Sequence, residues 1–178
     1  TNGYRGSTVD QIAARAGMSK ANVLYYFNKK QDIYTAVLER TLSVWLDPLD
    51  ELDSDGDPIE ELWKYARQKL QLSRKAPHAS RLFANEILQG APRIQDELQD
   101  LKHLMDEKAK VFEKWMREGK MKKVDPYHMI FSIWATTQHY ADFDVQVRAV
   151  LGGKRSGEQR FEEAARYLDQ LFVSGLES

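Results

Sequence analysis

Lys20, Asn22, Tyr25 and Tyr26 fall within one short stretch that reads as a single helix. A lysine and an asparagine near a helix N-terminus can donate to base edges. The tyrosine hydroxyls, with Lys30 just beyond, suit phosphate oxygens. Val23, Leu24 and Phe27 lie where they are expected to face inward. A helix that offers donors at its start and buries its other side suits the major groove of duplex DNA. The residues before it supply a second helix. Thr8 and Gln11 have the spacing of a capping box, and the Thr8 hydroxyl joins the phosphate-facing set. Ile12, Ala13 and Ala16 give that helix an apolar side. Gly17 permits the left-handed backbone that ends it, and Ser19 is a good N-cap for the next.

A second group of residues has the chemistry of a small-molecule site. Ile130, Trp134 and Gln138 recur at four-residue steps and so share one helical face. The tryptophan offers a flat surface for a ring. The glutamine offers one acceptor and two donors, which can match an N–H and C=O edge. Tyr65, Lys69, Phe83 and Trp115 lie on helices that can close around that face. Taken singly, Phe83, Trp115 and Trp134 each fit an ordinary core better than a ligand contact. Gln138 is harder to place in a core, since a buried amide needs partners. His128, His139 and Asp142 do not have the adjacent-turn spacing of a metal site, and there is no cysteine, so no metal and no cofactor are expected. No nucleophile triad, close acidic pair or glycine-rich phosphate loop stands out, so an enzyme is not expected.

The elements that must position these residues read as helix after helix. A connector spans about 30 to 46, with Ile33, Val37, Leu38, Leu42 and Trp45 on one stripe. Pro48 and the polar run Asp53 to Pro58 are expected to break the chain. Further helices are expected at about 58 to 75, with Ile59, Leu62, Trp63, Ala66 and Leu70 inward, and then at 77 to 88, 92 to 118, 126 to 142 and 158 to 175. Pro58 and Pro126 suit first helical turns, and Gly119 suits a stop. Residues 143 to 157, with Gly152, Gly153 and Gly157, read as an irregular connection. No strand pattern competes. The expected architecture is all-α, with a reader and connector at 1–46 and a helical body at 47–178.

Charge supports that division. The net charge is −1 overall. Residues 1–40 nevertheless hold six basic groups against three acidic ones, and a basic end suits phosphate contact. The absence of cysteine excludes disulfides and fits a cytoplasmic protein. No run is long and apolar enough for a membrane span, and no secretory signal is visible.

The run Ser19 to Phe27, followed by Lys30, resembles the recognition helix of TetR-family transcriptional regulators and the start of the helix after it. One position departs: Lys29 stands where that family usually has a small capping residue, so Asn28 or the Asp32 carboxylate must cap instead. The resemblance implies a repressor that grips double-stranded operator DNA through Thr8, Ser19, Lys20, Ala21, Asn22, Tyr25, Tyr26 and Lys30. It also implies a helix before this segment. Thr1 to Tyr4 looks like the tail of that helix, so the protein is expected to be longer at its N-terminus. The segments Ser80 to Pro92 and Ile130 to Phe143 resemble a pyrimidine-responsive branch of the family. That implies uracil or thymine as effector; another planar or hydrophobic small molecule is the alternative. The family pairs its last two major helices with their copies in a second subunit. This implies a homodimer through Phe131, His139, Phe161, Leu168, Leu171 and Phe172, although the last stripe, which runs on to Gly175 and Leu176, also fits packing on its own body. An all-α enzyme with a merely structural reader segment, or a structural dimer without effector, are the other classes. Salt-dependent duplex binding and ligand-induced thermal shifts separate them.

Overall fold

The computed structural model describes residues 4–152 and 155–174. Among them the chain is helical, with no strand. The order is α1 (Val9–Arg15), α2 (Lys20–Tyr26), α3 (Lys30–Asp50), α4 (Pro58–Lys75), α5 (Pro77–Leu88), α6 (Gln95–Arg117), α7 (Pro126–Asp142), α8 (Asp144–Leu151) and α9 (Gly157–Ser174). Thr1 to Gly3, Gly153, Gly175 and Leu176, which entered the expectations above, lie outside the described residues.

The helix starts follow local chemistry. Asp57 accepts from the amides of Ile59 and Glu60 with Pro58 at the first turn, and Asp125 accepts from His128 with Pro126 at the first turn. Gly17, at φ 67°, ends α1: its amide reaches the Ala14 carbonyl while that of Met18 reaches Ala13. The main core forms where α4 packs on α7 and α9, with Leu62, Tyr65, Phe112, Trp115, Ile130, Ile133, Leu168 and Phe172 at its centre. A smaller core of Tyr34, Leu38, Ala91 and Ile94 joins α3 to the turn between α5 and α6.

Several expectations need correction. Pro48 does not break the connector; α3 runs on to Asp50. Proline there denies a donor only to the Val44 carbonyl, and the burial of Pro48 and Leu49 against the body outweighs it. Residues 144–151 form α8 rather than an irregular connection, held by the Asp144–Arg148 ion pair at 3.0 Å and by inward Val147. Gly152 terminates that helix instead of marking a loop. Helix α6 starts at Gln95, not 92, because the Arg93 amide is bound by the Glu86 carboxylate outside the helix. Trp63 is partly exposed, with the Arg67 guanidinium 4.4 Å over its ring. Ala16 is exposed, and so is Leu24, at 37 %.

Candidate functional site

The reader is built as its sequence suggests. The Thr8 hydroxyl accepts from the Gln11 amide at 3.2 Å, and Gln11 returns a bond to the Thr8 amide at 2.9 Å. Ser19 accepts from the Asn22 amide at 3.1 Å. Lys29 is the extended residue just before α3, and its amide is taken by the Asp32 carboxylate at 3.2 Å, so the second of the two expected caps serves. Val23 is buried and fixes the inner side of α2. Thr8, Ser19, Lys20, Ala21, Asn22, Tyr25 and Tyr26 are all exposed. Tyr25 is 83 % exposed and stands edge-on to Tyr26, with ring centres 5.1 Å apart. Lys20 pairs with Asp10 at 2.9 Å, and both are well exposed. Such a pair is worth under about 1 kcal/mol and is readily exchanged for a stronger polyanion.

Lys30 departs from its expected place at a phosphate. Its ammonium donates to the carbonyls of Tyr4 and Ser7, at 2.8 and 2.9 Å, and lies 4.3 Å from the centre of the Tyr4 ring. Two carbonyls and an aromatic face surround the cation, which ties the segment before α1 to the start of α3.

That contact opens a chain of polar links from reader to body that sequence reasoning missed. The Arg93 guanidinium stacks on Tyr4 at 4.5 Å and lies 5.3 Å from Tyr34. Fully buried Glu86 accepts from the Tyr34 hydroxyl at 3.0 Å, from the Arg93 amide at 3.0 Å and from its guanidinium at 3.1 Å. Burial first, and the bond to Glu86 second, push the Tyr34 hydroxyl up to about 12. The available signal was an acid on the inward face of α5 with an arginine seven residues on.

Behind this clasp lies a cavity of about 680 Å³, within the range of small-ligand sites. Helices α3, α4, α5, α6 and α7 all contribute to its wall. Of the expected ligand residues, Lys69, Phe83, Trp134 and Gln138 line it. Tyr65 does so indirectly: it is buried behind the wall and accepts from the Trp134 indole N–H at 2.5 Å, which fixes the plane of that ring. Burial raises its own phenol well above the usual value. Trp115 does not belong to the site. It is a core residue, packed on Phe112 at 5.5 Å and donating to the Ser54 carbonyl at 3.0 Å. Sequence reasoning missed Trp45, Arg81 and Asp142, which also face the cavity. Ser80 donates to Asp142, whose carboxyl burial holds above its usual range. A smaller cavity of about 390 Å³ adjoins across Leu98, Leu101 and Trp134.

The six expected dimer residues divide. Phe131, His139 and Leu171 are exposed, with His139 stacked on Phe143 at 5.1 Å. Phe161 is half-buried against Tyr140. Leu168 and Phe172 belong to the chain's own core, because α9 turns that side toward α4. No described helix is long and apolar enough to cross a membrane.

A helix-turn-helix with exposed donors, joined by one long helix to a cavity-bearing helical body, defines a class. Residues 1–37 match the family described as bacterial regulatory proteins, tetR family, and residues 38–178 match the YcdC-like protein, C-terminal region. The chain belongs to the TetR family; it is a DNA-binding transcription regulator with a ligand-binding C-terminal domain. Within the family it is similar to the HTH-type transcriptional regulator RutR of Escherichia coli (strain K12). The two are 45 % identical over 175 residues, covering 98 % of this chain and 82 % of that protein. Two solved structures share the fold. PfmR of Thermus thermophilus has a TM-score of 0.69 at 19 % identity, covering 98 % of this chain and 92 % of that one. AibR in complex with isovaleryl coenzyme A and operator DNA has a TM-score of 0.67 at 18 % identity, covering 96 % and 89 %.

Proposed function

We propose that this protein is a cytoplasmic, homodimeric repressor whose grip on double-stranded operator DNA is set by a small planar effector, with uracil or thymine as the first candidates. The observation that carries the effector reading is the pinned Trp134 ring. Tyr65 holds its indole N–H, and Gln138 stands one helical turn on in the same cavity wall. A ring laid on that indole would meet an amide able to pair with an imide edge. Similarity to RutR supports the same class. Residues 1–46 serve as reader and connector, and 47–178 as sensor and pairing body. The exposed Phe131, His139 and Leu171, together with Phe161, form the pairing surface.

Coupling runs through α3. Leu42, Trp45 and Leu46 face the cavity, while the other end of the same helix begins just after the recognition helix. An effector that prefers one position of α3 shifts the separation of the two readers in the dimer, and operator affinity follows.

Calorimetric titration with uracil and thymine tests the effector. Saturable binding is expected, and Gln138→Ala should weaken it about tenfold through loss of the polar match. An unchanged isotherm removes Gln138 from the site. Lys20→Ala should weaken operator binding by about 1 to 3 kcal/mol if its ammonium reads a base edge. A salt-controlled mobility-shift titration checks this, and equal affinity of the two proteins counts against the role.

One observation favours a second effector class. The cavity is several times larger than a pyrimidine ring requires, and Leu42, Leu46, Ile87, Leu88 and Leu101 make much of its wall apolar. A larger planar or hydrophobic molecule would fill it better. Thermal-shift comparison of pyrimidines with larger heterocycles separates the two.

A further inference from the structure

Lys69 is the most deeply buried ionisable group in the cavity wall. It is only 2 % exposed, yet it faces the cavity from α4. Its ammonium donates to the Trp45 carbonyl at 3.0 Å, lies 4.5 Å from the Trp45 ring centre and 5.9 Å from that of Trp134. That uses one of three donors. Among the described residues no carboxylate forms an ion pair with it. The other charged groups in the wall are otherwise engaged: Arg81 donates to the Ala141 carbonyl and contacts His78, and Asp142 accepts from Ser80. A buried cation with spare donors and no counter-charge is costly, and folds ordinarily pair it. Here the open side of that cation is the cavity, beside an indole held in place for ring stacking.

We propose that the Lys69 ammonium is the anion-recognising group of the effector site, and that the site selects a planar ring bearing a negatively charged oxygen over its neutral counterpart. The inference rests on the planar-effector reading given above and narrows it. The ring lies against Trp134, Gln138 meets its polar edge, and the charged oxygen takes the free donors of Lys69. A charge-assisted bond in a dry wall is stronger than the neutral bond that an uncharged ring could make there.

Proton linkage gives the site a signature. Burial holds the Lys69 amine down at about 7. At pH 8 the empty site is therefore mostly uncharged, and an incoming anion draws a proton from solvent. At pH 6 the ammonium is already formed and no proton is needed.

The test is calorimetry on the full chain with uracil and with barbiturate, a similar ring that carries a full negative charge at neutral pH. Titrations at pH 6 and pH 8, each in two buffers of different ionisation enthalpy, read proton uptake. Barbiturate is expected to bind about tenfold more tightly than uracil. Its binding should take up about one proton per site at pH 8 and almost none at pH 6. In Lys69→Met, checked for folding by its melting transition, both the preference and the uptake should vanish. Equal affinities without uptake in the unaltered protein, which need no variant, overturn the proposal. So does a preference that survives in Lys69→Met. If neither pyrimidine binds, the pyrimidine reading fails. The charge inference is then decided on benzoate against benzamide by the same criteria, and benzoate binding no tighter than benzamide overturns it.

Discussion

Glu86→Ala is expected to lower the stability of this protein by about 3 kcal/mol, near the low end for breaking a buried ion pair from one side. For a chain of this length that is a fall in melting temperature of roughly 6 to 12 °C. The size follows from what Glu86 satisfies. Its carboxylate is fully buried and accepts from Tyr34, from the Arg93 amide and from the Arg93 guanidinium. Removing it leaves a half-buried cation, a hydroxyl and a backbone donor without their acceptor. Tyr34→Phe removes one of those bonds and should cost about 1 to 2 kcal/mol. Because Tyr34 is held up to about 12, the clasp keeps its proton through the physiological range and should not loosen between pH 6 and 9. Chemical denaturation of the two variants checks these values. Glu86→Ala with the melting point of the parent would mean that the clasp contributes nothing. Operator binding supplies a second readout, since the clasp ties α3 to the turn that leads into α6. With it gone, effector should shift operator affinity less.

Lys69→Met should have the opposite sign. An unfolded lysine keeps its proton up to about 10.4, whereas burial brings the folded one down to about 7. Between those values the unfolded chain binds more protons, so the ligand-free protein gains stability as pH rises from about 7 toward 10. Below about 7 both states are protonated and the full cost of burying the charge applies. That cost is on the order of a few kcal/mol, partly offset by the bond to the Trp45 carbonyl and by the two indole faces. Methionine of similar length removes the charge and keeps the packing. The variant should therefore melt higher than the parent near neutral pH and lose the rise toward pH 10. Parallel denaturation curves at pH 6.5, 8 and 9.5 read both features. A parent protein with no greater pH slope than the variant would show that Lys69 is not a buried titrating amine.

What was legible in the sequence was local. The Thr8–Gln11 box, the helix starts at Pro58 and Pro126 and the stop at Gly17 each depend on residues a few positions apart, and the structure forms each of them. The spacing of Trp134 and Gln138 placed both in the cavity wall for the same reason. Pairings across the fold were not legible. Tyr34 and Glu86 are 52 positions apart, and neither residue announces the other. Trp115 and Trp134 are alike as residues on amphipathic helices. Only the packing of α6 against α7 and α3 decides that one is core and the other is wall. Pro48 was misread because a local rule was applied where burial in the body was stronger. The assignment of Leu168 and Phe172 to a partner rests on the family resemblance; periodicity gives the width of an apolar stripe but not what covers it, and here the chain's own core does.

Helix α5 has two duties. Its Glu86 closes the clasp, while its neighbours Phe83, Ala84, Ile87 and Leu88 form cavity wall. For anyone re-aiming the sensor at a new compound, this divides the wall into two kinds of position. Libraries placed on α5 will alter basal occupancy of the operator along with ligand preference, and will yield leaky switches. Libraries confined to Leu101 and Gln138 avoid both the clasp and the small core around Tyr34, so the uninduced setting stays where it was while the choice of inducer changes.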